Sequence, residues 1–298
     1  MQKIDRAYVA GKLPARDENA SKNAYGRLLI AGGSVPYSGS VCLSAKAAVH
    51  SGCGLVYAAV PAPLWSVAAT KLQEAMVLPI PSAGFDEGGF FTESSAGPLL
   101  ECLEKCSVLA IGPGLGRDKR TVSFVLKVLE TTEKPVIADA DALFALGTDL
   151  GVLDARKGRV TILTPHAGEY SFLTNGRDIK PSDFAREHGC VLVCKAHRTE
   201  VYAPDGRAMV NTTGNSGLAK GGSGDVLTGL AGSTLCQGLE PFDAACVSVW
   251  LHGRAADLLL PYETQYCMAA DMLVDSGFPM AFRDVLNCGN LENGVKDV

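Results

Sequence analysis

Short apolar runs alternate along the chain with segments in which apolar residues recur at three- and four-residue spacing. The runs have the length of buried strands, and most end in glycine or in a polar residue. They occupy residues 26–34, 55–60, 74–80, 107–111, 135–138, 160–164, 190–194 and 200–203. Helical spacing is found in 40–51, 65–71 and 121–130, after the glycine-rich segment that ends at 225, from 241 onward, and in a short stretch beyond 260.

This alternation predicts an α/β fold: a three-layer α/β/α domain with helices on both faces of a mainly parallel central sheet. The short strand at 200–203 and the turn at 204–206 predict a hairpin, which adds an antiparallel edge to that sheet. Because no repeat, linker or shift in composition interrupts the chain, we expect one domain over 1–298. The polar residues 1–24 are expected to form a tail over the domain, and 289–298 to be frayed.

Composition restricts the classes of function. The chain has 298 residues and a formal net charge of −5, which argues against a general nucleic-acid binder. No apolar run approaches the length of roughly 20 residues that a membrane helix needs, and the opening residues lack a signal or transit pattern. We therefore expect a cytoplasmic protein with no membrane or nucleic-acid partner. Its 10 cysteines are expected to be reduced thiols, and no Cys and His set has the spacing of a metal site.

The sequence GGSGD at 221–225 contains the strongest local signal for chemistry. Gly221, Gly222 and Gly224 let the backbone turn so that several N–H groups point the same way, and an apolar helix follows at once. The positive end of that helix dipole adds to the N–H groups, so the turn predicts a binding site for a phosphate or an oxyanion. Asp225 lies in the first turn of the helix, where it can serve either as a cap or as a base.

Polar residues follow other predicted strands. Asp139, His166 and Lys195 each come directly after one, and the carboxyl ends of parallel strands form the ligand-binding edge of such a sheet. We therefore expect these side chains to lie near the glycine turn. His252 falls on the apolar stripe of a predicted helix, and we expect a core histidine with its hydrogen bonds satisfied.

Two strand–helix–strand units raise the alternative of a dinucleotide cofactor site. The first unit ends at Pro61, where such a site needs an acidic residue. The second has the loop GPGLG at 112–116 and a strand that ends in Asp139, which is the best support for a dehydrogenase. However, Pro113 supplies no N–H for a pyrophosphate.

Phosphoryl transfer explains the glycine turn more directly. Amides at a helix N-terminus stabilise charge on a transferring phosphoryl group, and a nearby aspartate can accept the proton of the attacking hydroxyl. Lys195 would help to hold a phosphate or a nucleotide. The chain has no sequence of the form G-x-x-x-x-G-K-[ST], so the residues favour phosphoryl chemistry without a P-loop.

Five segments together resemble one known family. GRLLIAGGSVPYSGSVCLSAKAAVHSGCGLVYAAVP, AIGPGLG, VIADADAL, TPHAGE and NTTGNSGLAKGGSGDVLTG occur in the order and spacing of the ADP-dependent NAD(P)H-hydrate dehydratases, which have a ribokinase-like fold. The resemblance extends from about Gly26 to Asp257. It implies a hydro-lyase that restores hydrated NADH or NADPH, damaged at the nicotinamide ring, at the expense of ADP.

The resemblance also implies roles for individual residues. Asp225 would deprotonate the ring hydroxyl of the S epimer, which attacks the terminal phosphoryl group, and the amides of Gly222, Ser223 and Gly224 would bind the developing charge. AMP and phosphate would then be released. Contacts to the hydrated dinucleotide would come from Ser40, Gly114, His166 and Asp225, and contacts to ADP, or to ATP in its place, from Lys195, Ala196, His197, Arg198, Thr199 and Gly224. Mg²⁺ would accompany the phosphates.

Four positions depart from the family pattern. Ser40 replaces a common alanine, Phe144 an asparagine and Ala196 a glycine, and Lys220 would place an additional positive charge beside the phosphates. No epimerase domain precedes the dehydratase motifs in this sequence, so the resemblance implies a separate NAD(P)H-hydrate epimerase. It also implies a homo-oligomer, in many members a tetramer.

Other functions would use the same residues. Within the fold, a small-molecule kinase for a hydroxymethylpyrimidine or a thiazole alcohol would need the same aspartate and anion site. From other classes, an NAD-dependent dehydrogenase would use the second glycine loop, and a nucleotide sensor would bind ADP without turnover.

Overall fold

A computed structural model describes residues 1–286, in which ten strands form a single sheet. The strands are β1 (Gln2–Ile4), β2 (Arg27–Ala31), β3 (Leu55–Pro61), β4 (Met76–Ile80), β5 (Val108–Ile111), β6 (Val136–Ala138), β7 (Thr161–Leu163), β8 (Val191–Cys194), β9 (Glu200–Tyr202) and β10 (Ala208–Asn211). Their order across the sheet is β1-β10-β9-β8-β7-β6-β5-β2-β3-β4. The frayed end predicted at 289–298 lies outside the described residues.

Helices connect most of the strands. They are α1 (Arg6–Lys12), α2 (Ser38–His50), α3 (Trp65–Lys71), α4 (Ala96–Leu103), α5 (Lys119–Thr131), α6 (Asp141–Thr148), α7 (Gly151–Ala155), α8 (Ala167–Leu173), α9 (Pro181–His188), α10 (Ser223–Cys236), α11 (Pro241–Leu259), α12 (Ala270–Met272) and α13 (Phe278–Leu286). A π-helical turn, Leu273–Gly277, joins α12 to α13. Among the helices of residues 1–286, none combines the length and the apolarity that a bilayer crossing requires.

The sheet is parallel except at one strand. β9 pairs antiparallel with both β8 and β10, which confirms the predicted hairpin. β1 then pairs parallel with β10 and extends the edge by one strand. The prediction of a polar tail over 1–24 was therefore wrong for its first half, since these residues supply an edge strand and a helix. Asp5 caps that helix by accepting a hydrogen bond from the N–H of Tyr8.

Each face of the sheet is covered by its own apolar core. Leu28 and Ile30 of β2 pack into the core beneath α2, α10 and α11, whereas Leu29 and Ala31 pack into the core beneath α4, α5 and α6. Alternate residues of a strand point to opposite faces, so a strand that is apolar at every position needs a layer on each side. This arrangement confirms the predicted three-layer α/β fold.

The chain reverses its direction of travel across the sheet between β2 and β5. From β2 it proceeds to β3 and β4 on one side, and from β5 to β6, β7 and β8 on the other. The loops after these two central strands interlock, because Gly33 N–H donates to the carbonyl of Pro113 (2.8 Å) and Ser34 Oγ donates to the carbonyl of Gly114 (2.8 Å). Ligands of open α/β sheets bind at such a switch point.

Helix α10 is buried along almost its whole length, from Val226 to Cys236. A helix that is apolar or small on all sides can lie in the core, provided that its neighbours approach closely. Gly229 makes that approach possible, because a Cβ at this position would lie 2.0 Å from the carbonyl oxygen of Ser44 in α2. Ser44 Oγ in turn donates to the carbonyl of Asp225 (2.8 Å), so α2 fixes the start of α10.

The periodicity analysis located the principal strands and the long helices but missed shorter helices. Segment 85–95 contains two 3₁₀ turns and leads into α4, which was also not predicted. Helices α7, α8 and α9 were not predicted, because each has at most eight residues and too few turns for a clear apolar period.

We predict that Gly229→Ala destabilises the protein by at least about 2 kcal/mol, because the added methyl group forces α10 away from α2. Urea unfolding measures the change. Gly97→Ala in α4 is the matched control, since nothing lies within 4 Å of a Cβ there and the exposed helix should gain up to about 1 kcal/mol. Equal stabilities for the two variants would contradict the close contact.

Candidate active site

The glycine turn before α10 lies at the carboxyl edge of the sheet. Gly222 is the N-cap residue and has φ +92°, a conformation that favours glycine, and a Cβ there would lie 2.7 Å from a methyl carbon of Leu43. No side chain caps the helix. The first N–H groups of a helix have no partner within it, so Gly224 and Asp225 present their amides at the positive end of the α10 dipole. The N–H of Ser223 donates a long hydrogen bond to the carbonyl of Lys220 (3.4 Å). The turn before α10 therefore has the backbone arrangement on which the predicted anion site depends.

Asp225 occupies the third position of α10, and its environment suits a base rather than a cap. Burial raises the pKa of this carboxyl to about 6, and the negative charge of Asp139 adds to the effect. The hydroxyl of Ser40 and the ammonium of Lys195 act in the opposite direction but do not cancel it. A carboxylate with a pKa near 6 is ionised at neutral pH and is a stronger proton acceptor than an exposed aspartate.

A buried ion pair lies directly below the glycine turn. Asp139 follows β6, is almost fully buried, and accepts hydrogen bonds from Lys195 Nζ (2.7 Å) and from Thr228 Oγ1 in α10 (2.7 Å). Burial alone would raise the pKa of Asp139, but the Lys195 ammonium and the Thr228 hydroxyl outweigh it and hold the pKa below its usual value. A Cβ at Gly224 would lie 3.7 Å from Asp139 Oδ2 and 3.6 Å from Lys195 Nζ, so the pair adjoins the anion site.

His166 and Glu169 form the next part of the edge. His166 caps α8: its Nδ1 accepts from the N–H groups of Gly168 (3.0 Å) and Glu169 (3.2 Å). With Nδ1 as acceptor, the neutral ring carries its proton on Nε2. Glu169 Oε2 lies 3.6 Å from Lys195 Nζ, which connects this turn to the buried pair. The sequence analysis did not select Glu169, although the spacing of His166 and Glu169 is that of a capping box.

Ser40 and Gly114 meet on the other side of Asp225. Gly114 has φ +64°, and a Cβ at this position would lie 2.9 Å from the Cβ of Ser40 and 2.7 Å from the carbonyl oxygen of Tyr37. The glycine is therefore required by its conformation and by its contact with α2. Because the Ser40 hydroxyl also acts on the pKa of Asp225, the structure brings together Ser40, Gly114 and Asp225, as predicted.

The turn that follows β8 is more exposed than the buried ion pair. Lys195 begins the turn with its ammonium directed at the carboxylates of Asp139 and Glu169, and the carbonyl of Pro165 fixes its backbone N–H (2.8 Å). Thr199 closes the turn through a hydrogen bond from its hydroxyl to the carbonyl of Ala196 (3.1 Å). The remaining residues of this turn are exposed at its surface: Ala196, His197 and Arg198.

Two of the positions that depart from the family pattern have partners away from the anion site. Lys220 is exposed, and its ammonium donates to the carbonyl of Tyr266, which lies in the segment before α12. Phe144 stacks on Phe172 with ring centroids 4.6 Å apart. Arg117 covers the Phe144 ring at 4.8 Å.

His252 of α11 is buried, but the prediction of a fully hydrogen-bonded core histidine was wrong. Its Nε2 has no hydrogen-bond partner among the described residues. Burial lowers the pKa of the imidazole to about 4, and the charge of Lys195 contributes in the same direction. His252 is therefore neutral at physiological pH, below the start of α10.

The chain matches one family model, described as NAD(P)H-hydrate dehydratase, over residues 28–276. A bifunctional NAD(P)H-hydrate repair enzyme of Moorella thermoacetica is 40% identical, over 99% of this chain and 55% of its own length. An ADP-dependent (S)-NAD(P)H-hydrate dehydratase of Neisseria meningitidis is 37% identical, over 82% of this chain and 81% of its own length. The chain spans about half the length of the bifunctional relatives that it matches.

Solved structures agree with the fold. The ADP/ATP-dependent NAD(P)H-hydrate dehydratase of Bacillus subtilis, co-crystallised with ATP and Mg²⁺, superposes with a TM-score of 0.75 at 29% identity, over 95% of this chain and 98% of that one. A ribokinase-like superfamily protein of Enterococcus faecalis has a TM-score of 0.80 at 23% identity, over 96% of both chains, which shows the fold alone. The predicted ribokinase-like fold is confirmed.

We predict that Asp139→Asn lowers the pKa of Asp225 below its value of about 6. The substitution removes a negative charge that opposes ionisation of Asp225 and releases Lys195 to favour it, so both changes act in the same direction. Carbon-13 NMR of labelled aspartate side chains measures the pKa without any substrate. Asp178→Asn, at an exposed position, is the control and should leave the value unchanged. An unchanged or raised pKa in Asp139→Asn would contradict the electrostatic coupling.

Proposed function

Because the chain belongs to the NAD(P)H-hydrate dehydratase family, we propose that it is an ADP-dependent hydro-lyase that dehydrates the S epimer of hydrated NADH or NADPH. The products are NADH or NADPH, AMP and phosphate. The observation that carries the proposal is the position of Asp225, a buried carboxylate with a pKa of about 6, at the N-terminus of α10, which no side chain caps. A proton acceptor for the substrate hydroxyl and an anion site for the phosphoryl group would thus lie side by side.

The first step is phosphoryl transfer to the substrate. Asp225 accepts the proton of the ring hydroxyl, and the hydroxyl oxygen attacks the terminal phosphorus of ADP. A new oxygen–phosphorus bond forms while the bond to the bridging oxygen breaks, and AMP departs. The amides of Gly222, Ser223 and Gly224 are placed to stabilise the negative charge on the transferring phosphoryl group.

The second step is elimination. The bond between the ring carbon and the phosphorylated oxygen breaks, and phosphate leaves with the oxygen that was the substrate hydroxyl. The neighbouring ring carbon loses a proton to solvent, and the ring double bond reforms. Phosphate is a far better leaving group than hydroxide, so ADP activates a hydroxyl that would otherwise depart slowly.

We propose two binding regions around Asp225. Ser40 and Gly114 meet beside the carboxylate, and His166 lies farther along the same edge, so we assign these three residues to the hydrated dinucleotide. We assign ADP, or ATP in its place, to the turn after β8 and the glycine turn. Its contacts come from Lys195, Ala196, His197, Arg198, Thr199 and Gly224.

We propose that Mg²⁺ binds together with the nucleotide phosphates. Within residues 1–286, no group of three or more His, Cys, Asp and Glu side chains has the arrangement of a metal site. Mg²⁺ commonly binds through substrate phosphates and water with one or two carboxylates, and it would neutralise phosphate charge here.

The proposal extends to partners and location. We propose a homo-oligomer, tetrameric as in many members of the family, with a cytoplasmic location. A separate NAD(P)H-hydrate epimerase would supply the S epimer from the R epimer. Relatives named as bifunctional repair enzymes, about twice as long as this chain, support a functional connection between the two activities.

We predict that the protein converts hydrated NADH to NADH only when ADP or ATP is present, and that Asp225→Asn lowers kcat by about 100-fold or more, the usual effect of losing a positioned proton acceptor. The near-ultraviolet absorbance of reduced nicotinamide follows the reaction. Asp178→Asn is the control and should retain wild-type turnover.

Three results would contradict this function. A phosphorylated small alcohol as the stable product would indicate a kinase, and oxidation of an added alcohol with NAD would indicate a dehydrogenase. Binding of ADP without any turnover would indicate a sensor. Substantial activity in Asp225→Asn would exclude Asp225 as the base while leaving the overall reaction intact.

A further inference from the structure

A surface cavity of about 180 Å³ lies beside the proposed active site. It opens between the loop after β5, helix α6 and helix α8. The residues that line it combine two aromatic rings, an arginine and the α8 capping turn: Arg117, Phe144, His166, Gly168, Glu169 and Phe172. The reaction proposed above assigns a role in this cavity to His166 alone.

One side of the cavity is an ordered stack of flat groups. The rings of Phe144 and Phe172 are inclined by 19° with centroids 4.6 Å apart, and the Arg117 guanidinium lies 4.8 Å from the centre of the Phe144 ring. Phe172 is 38% exposed, which is unusual for a phenylalanine that makes such close contacts. Gly147 leaves the space for its ring, because a Cβ there would lie 2.4 Å from the Phe172 ring.

The cavity is connected to the active site at two points. Glu169 lines the cavity and also approaches Lys195 Nζ (3.6 Å). Arg117 pairs with Asp141 (3.0 Å), whose other oxygen accepts from the N–H of Gly116 (2.8 Å), and this fixes the loop that contains Gly114. The cavity thus adjoins the active site through Lys195 and through the loop that contains Gly114. It shares His166 with the residues assigned to the hydrated dinucleotide.

From this geometry we propose that the cavity binds the adenine of hydrated NADH or NADPH against the stack of Arg117, Phe144 and Phe172. The inference rests on the proposed function and deepens it, because it assigns a place to the half of the substrate that does not react. Aromatic rings and guanidinium planes bind nucleobases by stacking, without a requirement for base-specific hydrogen bonds. The adenine of ADP is the other possible source of a purine, and the experiment separates the two.

The test compares Phe172→Leu with the wild type on substrates that contain or lack adenosine. Loss of base stacking on one aromatic ring should raise KM for hydrated NADH by about tenfold. KM for ADP should not change, nor should KM for hydrated reduced nicotinamide mononucleotide, which has no adenine. Phe172→Tyr keeps the ring and should retain wild-type KM values. Trp65→Leu removes an exposed aromatic residue of α3, outside the cavity, and should also match the wild type.

A binding measurement keeps this inference distinguishable from the proposed function. Fluorescence titration with NADH and with reduced nicotinamide mononucleotide needs no turnover. Phe172→Leu should weaken the binding of NADH by about tenfold and leave the binding of the mononucleotide unchanged. If dehydration fails but this difference is found, the purine site stands without the dehydratase. The purine site would be overturned if Phe172→Leu bound both ligands equally more weakly, or bound both as tightly as the wild type does. A rise confined to KM for ADP would also overturn it.

Discussion

The buried ion pair between Asp139 and Lys195 is the interaction on which the site depends. It joins the ends of β6 and β8, and through Thr228 it also fixes helix α10. Removing one partner of a buried pair leaves an uncompensated charge, which commonly costs about 3–5 kcal/mol, so the two strand ends and the helix are held together as a unit. The same pair adjoins Gly224 and adjusts the pKa of Asp225.

The site also depends on close packing between backbone segments. Helix α10 directs its N-terminus at the sheet edge only because α2 approaches it at Gly229, and the loops after β2 and β5 interlock through Gly33, Pro113 and Gly114. Each contact needs a residue without a side chain at one position. The glycines of this chain thus position the proposed anion site and the proposed base relative to each other, although they carry no reactive group themselves.

The sequence predicted those parts of the site that follow from local pattern. Asp139, His166 and Lys195 were placed at strand ends, and parallel pairing brings strand ends to one edge. The partnerships between them were not predictable, because Asp139 and Lys195 are far apart in the chain and no periodicity encodes their contact. Short helices were missed although capping signals exist for α8 at His166 and for α9 at Pro181 and Gly189. The stack of Phe172 on Phe144 joins two separate helices and has no sequence signature.

In the proposed reaction, the substrate hydroxyl attacks a phosphoryl group before it departs. Hydrated NADH that carries oxygen-18 in the ring hydroxyl, with ADP as donor in ordinary water, tests this order of events. Mass spectrometry of the products then locates the label. We expect the label in the released inorganic phosphate, at one oxygen for each dinucleotide repaired. Unlabelled phosphate, with the label in water, would contradict transfer to the hydroxyl.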